Sequence, residues 1–174
     1  MTPFSLLCEI DQKSRRHAAP LPQQVEQVAQ WRGIGFMLNG QVYVAPMADV
    51  AEIIQLPHMT RVPGVKSWVL GVANIRGRLV SIMDLASLME LPSRNQWRSQ
   101  RVLVIEHHDF LMGLVVDAVL GMQTFRVDSQ VAAPSTHEHL DEFVDIAFEK
   151  NRKVWPVFQC RELIESPQFL NIAV

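Results

Sequence analysis

The residues of this chain that could bind a metal or catalyse a reaction are few, and the densest group is HEHLDE at 137–142. In an extended strand, His137 and His139 would project to one side, since residues two apart share a face. However, the preceding AAPST indicates a loop, and catalytic zinc usually has three protein ligands. A solvated loop is therefore the favoured interpretation, with a small metal-dependent hydrolase using His137 and His139 as the alternative.

The remaining reactive groups do not form a recognisable catalytic motif. His107 and His108 fall at a predicted hairpin tip, where polar residues are expected. Cys8 and Cys160 are far apart in sequence, and neither has a partner histidine nearby that would activate a thiol. The chain has no phosphate-binding loop, dinucleotide-binding glycine motif or nucleophile elbow. The residues taken alone therefore give little support for an enzyme.

Composition limits the classes of partner. The chain has 174 residues, 48% of them hydrophobic, and a formal net charge of −2. A near-neutral charge gives no global attraction to nucleic acid or to anionic membranes. Apolar runs fall short of the roughly 20 residues that span a bilayer, and the N-terminus is a poor signal peptide. Two cysteines without a disulfide pattern favour a reducing cytoplasm.

Hairpin patterns dominate the chain after its first thirty residues. The turn at Asn39-Gly40 between two apolar runs is the strongest two-residue hairpin signal. Alternating apolar segments predict four hairpins, namely 34–38 with 42–45, 71–75 with 78–83, 102–106 with 110–116, and 143–149 with 154–158. The sequence therefore predicts a mainly β protein of two small units that pack together.

Helical segments are predicted to be short. Residues 1–19 are expected to be a loosely ordered extension, and 22–31 a short helix, so that 1–31 precede a main domain at 32–174. The apolar spacing of 47–54 predicts one helical face. Asp84 is a candidate N-cap for a helical turn, and CRELIE near the C-terminus predicts another.

The run GVANIRGRLVSIMDL at 71–85 places Arg76 and Arg78 within an otherwise apolar stretch. A hairpin that turns at Arg76-Gly77 resolves this conflict, because the charges then lie at the tip. Its apolar residues alternate into a core, and Gly77 permits the backbone conformation of a tight turn.

This run resembles the signature hairpin of the CheW-like domain, with Gly-Val, an Asn-apolar-Arg-Gly turn and a strand ending in Asp-Leu. The other blocks follow in the family's order: FMLNGQVYVAPMADVAEII, TRVPGVKSW, VLVIEHHDFLMGLVVDAVLG and VWPVFQCRELIE. Together they cover roughly 32–166. Details in WRGIGF and in VYVAPMADVAEII are most similar to members that control type IV pili and twitching motility.

The resemblance implies two five-stranded SH3-like β-barrels packed together with short helices. It implies a scaffold without catalysis, cofactor or metal. This scaffold couples a methyl-accepting chemoreceptor's cytoplasmic tip to a CheA-type histidine kinase, whose regulatory domain is similar, in membrane-associated arrays. Such an adaptor binds no nucleic acid and does not insert into the membrane. The resemblance places receptor contact in the groove between the barrels, at Val50, Glu52, Gly71, Asn74, Arg76 and Val119. A regulatory domain of the same fold that blocks arrays is a further alternative.

Overall fold

The computed structural model describes residues 3–17, 28–92, 99–108 and 110–173, which contain eleven strands and five α-helices. The strands are β1 (Gln30–Leu38), β2 (Gln41–Pro46), β3 (Val50–Gln55), β4 (Val69–Ile75), β5 (Arg78–Asp84), β6 (Arg101–His107), β7 (Phe110–Val116), β8 (Ala118–Arg126), β9 (Gln130–Ala132), β10 (Ile146–Lys150) and β11 (Lys153–Pro156). The helices are α1 (Pro3–His17), α2 (Leu85–Leu88), α3 (Glu138–Asp141), α4 (Cys160–Glu165) and α5 (Pro167–Leu170). The prediction of a mainly β fold is confirmed.

Strands β3 to β7 form one sheet in the order β3-β6-β7-β5-β4, which we call the continuous unit. Only β5 and β7 pair in parallel among these strands. The chain that continues from β3 returns to the opposite edge, where Thr60 and Val72 exchange two backbone hydrogen bonds of 2.9 and 2.8 Å. This bridge joins the two edges at one point, so the sheet is strongly curved although its ladder of strand pairs stays open.

The other strands form the split unit, which is interrupted in sequence by the continuous unit. It has two three-stranded sheets, β2-β1-β8 and β11-β10-β9. A short 3-10 turn, Val127–Ser129, leads from β8 into β9, and an isolated bridge between Val44 and Val157 links the other sides of the two sheets. The structure thus refines the expected pair of five-stranded barrels, because neither unit closes through a continuous ladder.

The largest hydrophobic core lies between the two units and not inside either of them. Among the described residues, the interior of the continuous unit has six buried core residues, including Val80 and Ile82, and the interior of the split unit also has six. The shared core between them has twenty-five, drawn from both units and from α2 to α5. Phe36 of the split unit and Leu114 of the continuous unit are both completely buried in it. The two units are therefore packed together through one common hydrophobic core.

The four predicted hairpins are present as β1–β2, β4–β5, β6–β7 and β10–β11. The Asn39-Gly40 turn has positive φ at both residues, 50° and 79°, as a two-residue type I′ turn requires. Asp84 also caps α2 as expected, because its carboxylate accepts a hydrogen bond from the Ser87 amide.

The helix predicted over 47–54 is wrong, because Val50–Gln55 form strand β3. The spacing of Met47, Val50, Ile53 and Ile54 fits a helical face, but three of the four are also favourable in strands. Pairing with β6 decides the outcome, and exposure then alternates along β3.

The N-terminal expectation is also corrected. Residues 1–19 were expected to be loosely ordered, whereas Pro3–His17 form the longest helix described, with Phe4 and Leu7 exposed. Part of the predicted helix at 22–31 lies outside the described residues, and its end at Gln30 and Trp31 belongs to strand β1. Trp31 stacks on Phe148 with ring centroids 4.8 Å apart, and this contact favours the extended conformation there.

Candidate partner-binding groove

An open groove of about 470 Å³ lies between the two units, where strand β3 faces strand β8. Both are edge strands of their sheets, and an edge strand presents main-chain groups that can bind a partner. The described residues that line this groove are Ile53, Ser99, Arg101, Ala118, Val119 and Gly121. Among them, only Val119 was predicted from the sequence.

Val50 and Val119 are half-buried on this side of the molecule and pack against the shared core. Val50 lies opposite Ile105 in the β3–β6 pair, and Val119 lies opposite Phe36 in the β1–β8 pair. The register shifts at each of these places, which marks a β-bulge that bends the strand. These two valines thus form part of the apolar floor where the units meet.

Arg76 and Glu52 form an ion pair across the continuous unit, with the Arg76 Nη2 atom 2.7 Å from Glu52 Oε1. Glu52 is on edge strand β3, while Arg76 follows β4 at the opposite edge. Four steps of about 4.8 Å would separate these edges by about 19 Å in a flat sheet. The ion pair is therefore a consequence of sheet curvature. The Arg76 side chain remains 80% exposed, so its guanidinium is accessible to a partner.

The β4–β5 turn fixes Arg76 through its backbone. Arg76 and Gly77 have φ of 52° and 84°, so both central residues occupy the left-handed region of a type I′ turn. The Asn74 side-chain oxygen accepts a hydrogen bond of 2.8 Å from the Gly77 amide. Asn74 therefore positions the turn, and the turn directs Arg76 towards β3.

Gly71 has a different structural role from the other predicted site residues. Its φ is 151°, and a β-carbon at this position would lie 2.4 Å from the backbone oxygen of Thr60. The absent side chain allows the Thr60–Val72 bridge to form. Gly71 thus maintains the curvature that brings Arg76 to Glu52, and it is not among the residues lining the groove.

The histidines of the 137–142 segment do not converge on a shared site. His139 Nε2 lies 3.3 Å from Glu90 Oε2, while His137 immediately precedes α3. Asp141 accepts hydrogen bonds from the Ser135 hydroxyl and the Thr136 amide, which hold the pKa of its carboxyl below the usual range. In the part of the chain that the structure describes, this segment contributes to no group of three metal-ligating side chains.

The two cysteines are in unlike environments. Cys160 is completely buried at the start of α4, and burial, followed by the nearby charge of Asp49, raises the pKa of its thiol. A buried thiol with a raised pKa is a poor nucleophile. Cys8 is exposed on α1. Among the described helices, none is both long enough and apolar enough to span a membrane.

Comparison with known proteins agrees with this architecture. The model of the CheW-like domain matches residues 32–168. The chain is 45% identical to Protein PilI of Pseudomonas aeruginosa over 99% of this chain and 97% of that protein. It is 30% identical to the chemotaxis protein CheW of Bacillus subtilis, over 67% of this chain and 73% of that one.

A solved structure has the same fold. The crystal structure of scaffolding protein TtCheW from Thermoanaerobacter tengcongensis aligns with a TM-score of 0.71 at 22% identity, covering 80% of this chain and 96% of that one. The resemblance inferred from the signature hairpin is thereby confirmed. The family match over residues 32–168 and the 45% identity with Protein PilI show that this chain belongs to the family of CheW-like domains, which are non-enzymatic scaffolds.

Proposed function

We propose that this chain is a cytoplasmic adaptor that couples a methyl-accepting chemoreceptor to a CheA-type histidine kinase within a membrane-associated chemosensory array. The family match supports a chemosensory scaffold of this general kind. The 45% identity with Protein PilI supports assignment to the pathway that controls type IV pili and twitching motility.

The observation that carries the proposal is the exposed Arg76 guanidinium, which pairs with Glu52 on β3, the edge strand that also contributes Ile53 to the groove. Arg76 is held in place by its turn and by Glu52, yet its side chain is 80% exposed. A planar guanidinium presents several donors to a carboxylate or to carbonyl oxygens. Val119 and Ile53 line the groove, and apolar grooves accept the apolar side of a helix. Together these features suit the helical tip of a receptor.

The chain offers a matched control for the role of Arg76. Arg78 is two residues away in the same hairpin, and its Nη1 lies 2.9 Å from Glu106 Oε1. It is 53% exposed, so it also is an accessible, ion-paired arginine. Arg76 pairs with Glu52 on edge strand β3, whereas Arg78 pairs with Glu106 on β6. Comparing the two separates a specific contact from a general effect of positive charge.

The experiment is co-sedimentation of the purified protein with receptor-containing membranes, in the presence and absence of the kinase. We expect Arg76→Ala to weaken receptor binding by about tenfold, the cost of losing one charge-assisted contact. Arg78→Ala should bind as the wild type does. Equal binding by a folded Arg76→Ala protein would refute the assigned role of Arg76.

Scaffolding and blocking of arrays make opposite predictions in cells. If the chain is a scaffold, its deletion should reduce the number of receptor arrays seen by cryo-electron tomography and should abolish recruitment of the kinase. Larger or more numerous arrays after deletion would instead indicate a domain that blocks assembly.

A further inference from the structure

The tip of the β6–β7 hairpin and the end of helix α4 bring three metal-ligating side chains together. His107, His108 and Glu165 each offer a ligand atom, and these atoms all lie within 4.8 Å of one another. In the described part of the chain, no other group of three such residues is so close. The histidines are separated from Glu165 by more than fifty residues, so the fold assembles the group.

The backbone at His108 explains how both histidines reach the same side. Consecutive residues in a strand normally project to opposite faces. His108 has φ of 51°, in the left-handed region, which is uncommon for residues other than glycine although histidine is among those that adopt it more often. The two imidazole rings consequently lie side by side, with centroids 4.2 Å apart.

His107 and Glu165 lie within a few tenths of an ångström of the separation that neighbouring ligands of one ion require. Their Nε2 and Oε1 atoms are 2.9 Å apart, while bonds of 2.0–2.2 Å in a tetrahedron place ligand atoms roughly 3.3 Å apart. The His107 side chain is only 14% exposed, so the protein restricts its position, whereas Glu165 is 64% exposed and can adjust.

From this arrangement we propose that His107, His108 and Glu165 form a binding site for a divalent transition-metal ion such as zinc. Two imidazoles and one carboxylate are a set of ligands that zinc accepts, and the imidazoles favour a transition metal over Mg²⁺ or Ca²⁺. Three protein ligands leave one position of a tetrahedral ion open to water. The site lies apart from the groove, and it goes beyond the proposed adaptor function.

A bound ion would connect the β6–β7 turn to helix α4. Helix α4 contributes Leu163 and Ile164 to the shared core, so the ion would tie the continuous unit to the layer between the units. Because the site forms only in the folded protein, binding stabilises that state. Zinc should therefore raise the thermal unfolding midpoint as well as bind.

The test uses untagged full-length protein with Cys8→Ser in every sample, because an exposed thiol such as that of Cys8 can bind zinc by itself. Zinc affinity and stoichiometry are measured by competition with a chelating dye. The thermal unfolding midpoint is measured separately, with and without zinc. We expect one ion per chain. His108→Asn, which tolerates positive φ, and Glu165→Gln should each weaken binding at least about tenfold and remove the zinc-dependent rise of the midpoint.

The chain contains a suitable control in a second histidine–glutamate pair. His139 lies 3.3 Å from Glu90 but does not belong to the three-residue group. His139→Asn should keep wild-type affinity. The proposal is overturned if the Cys8→Ser protein shows no saturable binding of one zinc ion per chain. It is also overturned if the His108→Asn and Glu165→Gln variants bind zinc as tightly as the Cys8→Ser protein.

Discussion

The two hairpin tips of the continuous unit each carry an ion pair, but they present opposite partners of that pair to solvent. At the β4–β5 tip, Arg76 is 80% exposed and its partner Glu52 is 25% exposed. At the β6–β7 tip, His107 is 14% exposed and its partner Glu165 is 64% exposed. Each tip contains a non-glycine residue with positive φ, Arg76 or His108. The basic partner of the ion pair is therefore accessible at one tip and enclosed at the other.

This difference shows what each pair can do. An enclosed carboxylate with an exposed arginine forms an anchored cation that can contact another protein. An enclosed imidazole with an exposed carboxylate forms a fixed nitrogen ligand with an adjustable second ligand. The distinction depends on the element opposite each tip, strand β3 in one case and helix α4 in the other.

The largest expected effect is a loss of stability when the sheet curvature that brings Arg76 to Glu52 is disturbed. Gly71→Ala places a β-carbon against the Thr60 carbonyl and should lower the free energy of unfolding by about 3 kcal/mol. Gly77→Ala meets no atom within 4 Å and bears only the cost of positive φ, about 1 kcal/mol. Urea denaturation followed by tryptophan fluorescence measures both. Equal losses would contradict the role assigned to Gly71.

The next largest effect is on receptor binding. It tests whether Arg76 contacts the receptor directly or acts only as the ion-pair partner of Glu52. Arg76→Glu alone should weaken receptor binding by about tenfold or more, because the contacting guanidinium is replaced by a carboxylate. It should also lower stability, because the new carboxylate lies beside that of Glu52. The double variant Glu52→Arg/Arg76→Glu restores an ion pair and should recover stability but not binding. Recovered binding in the co-sedimentation assay would mean that Arg76 acts only through Glu52.

A smaller effect is expected at the other tip in metal-free protein. Because Glu165 is largely exposed, Glu165→Gln should change the free energy of unfolding by less than about 1 kcal/mol. Denaturation in the presence of a chelator measures this change. A much larger loss of unfolding free energy would show that the His107–Glu165 pair stabilises the metal-free fold.

The smallest expected effect is a pH-dependent change in stability at Asp141, which lies away from both hairpin tips. Hydrogen bonds from Ser135 and Thr136 lower the pKa of Asp141, so its contribution to stability is present above the ordinary carboxyl pKa, near about 4. This contribution is lost as the pH falls through the lowered pKa of the folded protein. Thermal midpoints should show a small advantage of wild type over Asp141→Asn at pH 6 that disappears in acid. An advantage that grows in acid would contradict this prediction.

Local signals in the sequence were sufficient for the hairpins but not for strand β3. Turn residues such as Asn39-Gly40 specify a backbone conformation by themselves, so the turns were predicted correctly. The spacing of Val50, Ile53 and Ile54 suits both a helix and a strand, and only pairing with β6 selects the strand. The sequence could therefore identify elements whose conformation is set locally.

The candidate site could be predicted only in part for the same reason. The family resemblance indicated Arg76 and Glu52, but their contact depends on a curved sheet that brings its two edges together. His107 and His108 were interpreted as turn residues, because nothing in the local sequence indicates that Glu165 lies beside them. Groove residues such as Gly121 have no motif and are identified only from the strand that they occupy.

The placement of the main core between the units has a consequence for synthesis of the chain. The continuous unit is complete once Val116 has left the ribosome, yet its core-facing Leu103 and Leu114 still lack the cover that α3 to α5 provide. Exposed apolar surface on a nascent chain favours aggregation. The last third of the chain, from β8 onward, thus covers an apolar face of the continuous unit that has already emerged from the ribosome. A product truncated before β8 would expose this face and would be expected to aggregate.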